Sequence, residues 1–291
     1  MLFRRHGSLA PSARIALAAA LRAPTFELVP LKGAIAQAEH LPPGATVSVT
    51  ASPAKGIEAT IGLCGQLQAA GFRAVPHLSA RMVRDRGHLC DLLAWLESSG
   101  ANRALVIGGD AKVPGAYPDG LALLREMAEI GHPLSEIGIP CYPQGHSFIA
   151  DAPLLEALRA KAAFASYMTT QLCFDPVAIR TWLADRRAEG ITLPVHVGLP
   201  GVAEPQRLLA ISARIGVADT HRFLVKNTQF IARLIRSGGF YRPDGLLEGL
   251  APVITDPASG IVDLHLYTFN AVDVTERWRQ EFLGKLAARA A

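Results

Sequence analysis

Pro24-Thr25-Phe26-Glu27-Leu28-Val29-Pro30 holds a strand-like run, 25–29, between two prolines, and carries one carboxylate, Glu27, within it. Aromatic and β-branched residues favour extended chain, and the flanking prolines punctuate it. An acid on a short apolar strand loses hydration unless it is hydrogen-bonded, paired, protonated or turned toward a water-filled cavity. A barrel or open sheet whose strands end at a ligand site is one place where such an acid is useful.

Outward from this stretch the same phrase recurs: a short apolar strand, a polar end, then a helix closed by Gly or Pro. Further strands are expected at 45–50, 72–78, 103–107, 137–142, 166–172, 194–199 and 261–268. Helices are expected at 8–21 (with Ser12 as an alternative cap), 33–40, 53–70, 83–99, 117–130, 152–163 and 175–189. More follow at 204–215, 218–237, 241–250 and 272–288. Eight strand segments separated by helical connections predict an α/β fold, a single (β/α)8 TIM barrel spanning 24–291. Residues 1–23 read as an N-terminal helical extension, and extra helices precede the eighth strand. A doubly wound sheet is the main competitor, but a dinucleotide-binding one would carry a GxGxxG turn at its first βα junction, and none occurs.

Composition sets the outer bounds. With 291 residues, 50% of them hydrophobic, the chain can bury a large core, and aromatics at 7% make that core mostly aliphatic. The net charge of +4 comes from 29 basic and 25 acidic residues and is scattered. Its clusters at 4–6 and 81–86 are too short for a nucleic-acid track. Cys64, Cys90, Cys141 and Cys173 are far apart and lack CxxC spacing, the pattern of reduced thiols in a cytoplasmic protein without a zinc knuckle. The start of the chain suits an amphipathic helix better than a secretory signal, and no apolar run is long enough to span a membrane.

The barrel assignment places Glu27, Thr50, His77, Asp110, Tyr142, Gln171 and the segment after Leu199 around one cavity, because the βα loops gather at the strands' carboxyl ends. Glu27 is read as a proton-transfer group or as a strand glutamate paired with a base. Asp110, after Gly108 and Gly109, either accepts donors from a heterocycle or caps a turn; Gly109 would let a ligand approach the backbone. His77 either meets a ring or phosphate or is structural. Tyr142 and His146 share a proline-containing loop that suits a flat cofactor or simple packing. Gln171 both donates and accepts, as recognition of a pterin or flavin edge requires, or serves as a strand-end amide. Arg159 either reaches a phosphate or is a solvated helix residue. Lys226, Asn227 and Gln229 are polar without a decisive role. Asp263, His265 and Tyr267 share one strand parity, and part of that polarity is expected to close the barrel.

The ordered motifs F-E-L-V-P at Phe26, P-H-L at Pro76, G-G-D at Gly108, Y-P-Q-G-H at Tyr142, T-Q-L-C-F-D at Thr170, G-L-P at Gly198 and L-Y-T-F-N at Leu266 resemble bacterial methylenetetrahydrofolate reductase. They cover nearly the whole chain after the first helix. The resemblance implies an FAD-containing (β/α)8 barrel that moves hydride from NADH or NADPH through flavin to 5,10-methylenetetrahydrofolate. Glu27 would then protonate the nitrogen side as the folate ring opens, Asp110 would tune the exchange near flavin and pterin, and Gln171 would orient the pterin. Thr50, His77, Gly109, Asp110, Tyr142, His146 and Arg159 would contact FAD, and a homo-oligomer is implied. There are departures: Gly108 stands where the family often has Arg, and Pro153, Glu156 and Ala160 replace an Asp, an Asn and a Lys. Glu204 occupies a place where an aromatic often holds substrate. Losing basic groups near a diphosphate removes attraction and donors. The alternatives are a divergent folate oxidoreductase without stable FAD or acting oxidatively in one-carbon catabolism, and a noncatalytic folate-binding barrel.

Overall fold

A computed structural model of the chain describes residues 9–146, 148–204 and 239–288. Eight parallel strands close in sequence order: β1 (Thr25–Leu28), β2 (Thr46–Val49), β3 (Arg73–Ser79), β4 (Arg103–Ile107), β5 (Glu136–Cys141), β6 (Tyr167–Thr170), β7 (Val195–Pro200) and β8 (Ile261–Tyr267), with β8 paired back onto β1. Around them run α1 (Pro11–Arg22), α2 (Ala34–Ala38), α3 (Ile57–Ala69), α4 (Arg86–Ser99), α5 (Gly120–Ile130), α6 (Asp151–Ala162), α7 (Pro176–Ala188), α8 (Asp244–Ile254) and α9 (Val272–Ala288). The expected barrel is therefore present. The helices expected at 218–237, the residues Lys226, Asn227 and Gln229, and all but the first residue of the helix expected at 204–215 lie outside the described residues.

Helix starts differ from expectation for a local reason. Asp85 accepts from the His88 N–H, and Asp119 from the Leu121 and Ala122 N–H groups, so α4 and α5 begin just after these caps, three residues later than periodicity placed them. The α1 helix opens on Pro11 without a side-chain cap, so Ser12 is inside the helix and does not cap it. It packs on α8, α9 and β8 through Leu17 and Leu21, both fully buried. Its last carbonyls, of Leu21 and Arg22, accept from Arg279, whose guanidinium is itself buried and held bidentate by Glu276.

Strand alternation sorts the side chains. Phe26, Val47, Val106, Ile139, Val197 and Leu266 face the helices and form the main core. The opposite parity fills the lumen with Thr25, Glu27, Ser48, His77, Arg103, Tyr167, His196, Asp263, His265 and Tyr267, an unusually polar set for a barrel interior. Room for it is made by glycine: a Cβ on Gly198 would stand 2.6 Å from the Tyr267 ring and 2.3 Å from the Thr170 carbonyl oxygen.

The seam between β8 and β1 is latched by side chains. Thr268 Oγ1 donates to the Glu27 carbonyl at 2.6 Å, and the Asn270 amide accepts from Val29 N–H at 2.8 Å and donates to Val29 C=O at 2.9 Å, as a neighbouring strand would. Phe269 and Asn270 adopt left-handed backbone (φ 52° and 59°) to present that amide.

Candidate active site

Glu27 is the third of four residues in β1, facing the lumen near its carboxyl end. Its side chain is 12% exposed. The carboxylate lies between two imidazoles: Oε2 is 3.2 Å from His265 Nε2 on β8 and 3.8 Å from His77 Nε2 on β3. His77 Nε2 is also 2.7 Å from Ser48 Oγ on β2. Burial lowers the His77 pKa to about 4 against the partly opposing pull of Glu27, so this ring is neutral at pH 7. Four strands thus deliver an acid, two imidazoles and a hydroxyl to one place, and the Thr268 and Asn270 latch fixes the backbone that carries the acid. A carboxyl group so enclosed, with an imidazole in contact, can give and take a proton at a defined point.

Over the ends of β6, β7 and β8, Leu172, Phe174, Ala203, Tyr267 and Phe269 form a separate apolar cluster. Tyr267 donates to the Thr170 carbonyl at 2.8 Å, and its ring centroid is 4.9 Å from that of His265. An apolar wall therefore stands beside the Glu27–His265 pair.

The other expected residues are placed as follows. His77 joins Glu27. Tyr142 and His146 meet edge to face, centroids 5.2 Å apart, and burial raises the Tyr142 pKa to about 12 and lowers that of His146. Gln171 accepts from the Leu172 N–H through its side chain at 2.8 Å, while its own N–H donates to the Cys141 carbonyl. Thr50 is half-buried, its carbonyl accepting from Thr60 Oγ1. Asp110 is exposed. Gly109 adopts φ 86°, and a Cβ there would fall 1.9 Å from Ser79 Oγ, a buried hydroxyl without a hydrogen-bond partner. Arg159 is exposed and pairs with Glu189 at 3.3 Å. The structure thus brings Glu27 to His77 and Tyr142 to His146; two cavities within the fold, one in the lumen and one beside α6, are lined by neither Glu27, Asp110 nor Gln171.

His265 is the site residue that sequence reasoning left unassigned. Its signal was the shared parity with Asp263 and Tyr267, which fixes an inward direction without naming a partner 238 positions away.

The residues at the expected flavin positions give little room for the group. Gly109 is packed against the buried Ser79 hydroxyl, which fills the space a side chain or a ring edge would take. At the diphosphate end the cations are partnered: Arg159 is exposed and pairs with Glu189, and Arg81 donates to the carbonyls of Ala111, Lys112 and Pro118. The expected positions are therefore poorly suited to a diphosphate. Among the described residues no cluster of His, Cys, Asp and Glu is arranged to hold a metal, and no helix is long and apolar enough to cross a membrane.

No protein-family model matches the sequence. Among solved structures, the chain is similar to a lyase/mutase-like protein of Burkholderia cenocepacia, with 15% identity, a TM-score of 0.45, and coverage of 96% of this chain and 87% of that one. It is also similar to dihydropteroate synthase of Thermus thermophilus, with 15% identity, a TM-score of 0.44, and coverage of 92% and 95%. These values speak for neither substrate nor reaction.

Proposed function

We propose that the chain is a folate oxidoreductase of the methylenetetrahydrofolate reductase type, converting 5,10-methylenetetrahydrofolate to 5-methyltetrahydrofolate at the expense of NADH or NADPH. The observation that carries this reading is the Glu27 carboxyl held between His265 and His77 at the carboxyl ends of the strands. In the forward direction, protonated Glu27 gives its proton to N10 as the C–N10 bond breaks, leaving an N5-methylene iminium. Hydride from reduced nicotinamide adds to that carbon, forming the methyl group and oxidised nicotinamide, and Glu27 regains its proton from water by way of His265. The chain's part is to place the acid, exclude water with the Leu172–Phe174–Tyr267 wall, and hold the pterin near Gln171 and Asp110. Because Arg159 at the expected diphosphate positions is paired with Glu189, no step here runs through a bound flavin.

The decisive assay supplies methylenetetrahydrofolate and reduced nicotinamide to purified protein, with and without added FAD, alongside Glu27→Gln. Methylfolate formation that is abolished in the variant supports the reading. Full turnover by Glu27→Gln, or no hydride transfer in either direction by the parent, overturns it.

A further inference from the structure

The α6 helix has two unlike sides. One packs on α5 and β5. On the other, a cleft of about 420 Å³ separates it from α7, bounded by Pro140 and Cys141 at the end of β5 and by the loop from Tyr142 to Gly145. Cys141 belongs to the outward-facing core, so the cleft lies outside the barrel wall, apart from the lumen that holds Glu27. Glu189, at the end of α7, ties the two helices by accepting from Arg159 at 3.3 Å and Arg186 at 2.7 Å.

What lines the cleft is chemically specific. Lys161, in the last turn of α6, is partly buried, its ammonium makes no salt bridge or hydrogen bond with any described residue, and burial lowers its pKa. A lysine at a helix end ordinarily keeps its ammonium in water. Near it in the cleft is Cys141, a thiol that burial keeps protonated and therefore uncharged, and the Asp119 carboxylate opposes part of the effect of burial without pairing with the ammonium. Arg186 directs one terminal nitrogen to Glu189, while its Nε is buried without a partner. Its guanidinium lies 5.6 Å from the centre of the Trp182 ring, which also lines the cleft. Asp151 and Asp185 line it as well, and both are exposed.

We propose that this α6–α7 cleft binds a nucleotide, with Lys161 and the Arg186 Nε–H on the phosphate, Trp182 beside the base, and the exposed carboxylates accepting from the sugar hydroxyls. A compact ammonium suits a phosphate as a point charge, and an orphaned guanidinium N–H supplies a directed donor. An aromatic ring takes a base by stacking without regard to its identity. Two carboxylates at the opening disfavour a bare anion but pair with hydroxyls, as acidic residues do with ribose. The volume falls within the roughly 300–1,000 Å³ of small-molecule sites. Binding here is measurable without folate or hydride transfer, so its failure and the failure of the proposed reaction are distinguishable.

The test is titration of the full-length protein with AMP and with inorganic phosphate, without folate or nicotinamide, followed by calorimetry and tryptophan fluorescence. AMP is expected to bind once per chain, at least tenfold tighter than inorganic phosphate. Lys161→Gln is expected to weaken AMP at least tenfold, Lys161→Arg to retain most of the affinity, and Trp182→Leu to remove the fluorescence change; thermal melts report whether each variant is folded. Competition of FAD or NADH with AMP assigns the cleft to the AMP half of a dinucleotide, and its absence to a free mononucleotide. Undetectable AMP binding at millimolar concentration, equal binding of phosphate and AMP, or unchanged AMP affinity in a folded Lys161→Gln protein overturns the proposal.

Discussion

The barrel lumen contains two carboxylate–imidazole groups built from the same residue types and differing in what their oxygens already do. At the amino-terminal end of the strands, Asp263 accepts from Thr25 Oγ1 at 2.6 Å and from the Leu264 N–H at 2.8 Å, with His196 Nδ1 at 3.5 Å. His196 is stacked on Tyr167, centroids 4.1 Å apart, and the Arg103 guanidinium lies 5.6 Å from the centre of the Tyr167 ring. A cavity of only about 10 Å³ is left beside this group, roughly the space of one water. Glu27, at the other end, has one imidazole at 3.2 Å and another at 3.8 Å. Fractional exposure does not separate the two acids, at 17% for Asp263 and 12% for Glu27. Committed lone pairs do: Asp263 is tied down by short bonds from its own scaffold, whereas Glu27 retains capacity to exchange a proton.

The sharpest way to break this contrast is Glu27→Gln, which keeps the shape and removes the proton. Methylfolate formation in steady-state assays should fall about 10²–10⁴-fold while the melting temperature stays within a few degrees. Gly198→Ala attacks the packing both groups share, forcing a methyl into Tyr267 and Thr170. Chemical denaturation should show a loss of about 3 kcal/mol.

Acid should act through the two buried rings. Burial is the leading cause of the depressed pKa values of His77, about 4, and His196, about 3, against an ordinary 6.5. Between those values and 6.5 the unfolded chain binds protons that the folded one refuses, so stability is lost as pH falls through that window. Each ring contributes a slope of up to about 1.4 kcal/mol per pH unit. Denaturation midpoints at pH 7.5, 6 and 5 should decline, and less steeply in His196→Gln. The smallest effect is expected from Asp263→Asn: a stability loss of about 1–2 kcal/mol by denaturation, with turnover within about twofold of the parent. A large loss of turnover there would erase the distinction between the two ends.

The alternation of short strands with helices made the barrel legible, because a parallel closed sheet and its cover leave separate periodicities in the chain. The stretch around Glu27 was equally legible, since an acid between Phe26 and Leu28 demands an explanation wherever it lies. What the sequence withheld was partnership. Periodicity states that His265 points inward but not that it meets Glu27, and it leaves Arg159 free to reach a ligand when Glu189 in fact holds it. Ion pairs across helices are set by crossing geometry and rotamers, which leave no period. The caps at Asp85 and Asp119 were readable in principle, because an aspartate just before an amphipathic run is a local signal.

The distance along the chain between Glu27 and His265 reaches into synthesis itself. At ordinary ribosomal speeds those 238 positions take on the order of tens of seconds to emerge. Throughout that interval a nascent polypeptide carries the acid without its imidazole neighbour and without the Asn270 clasp. Competence therefore arrives abruptly, when the eighth strand docks, and unfinished or truncated translation products should be chemically silent.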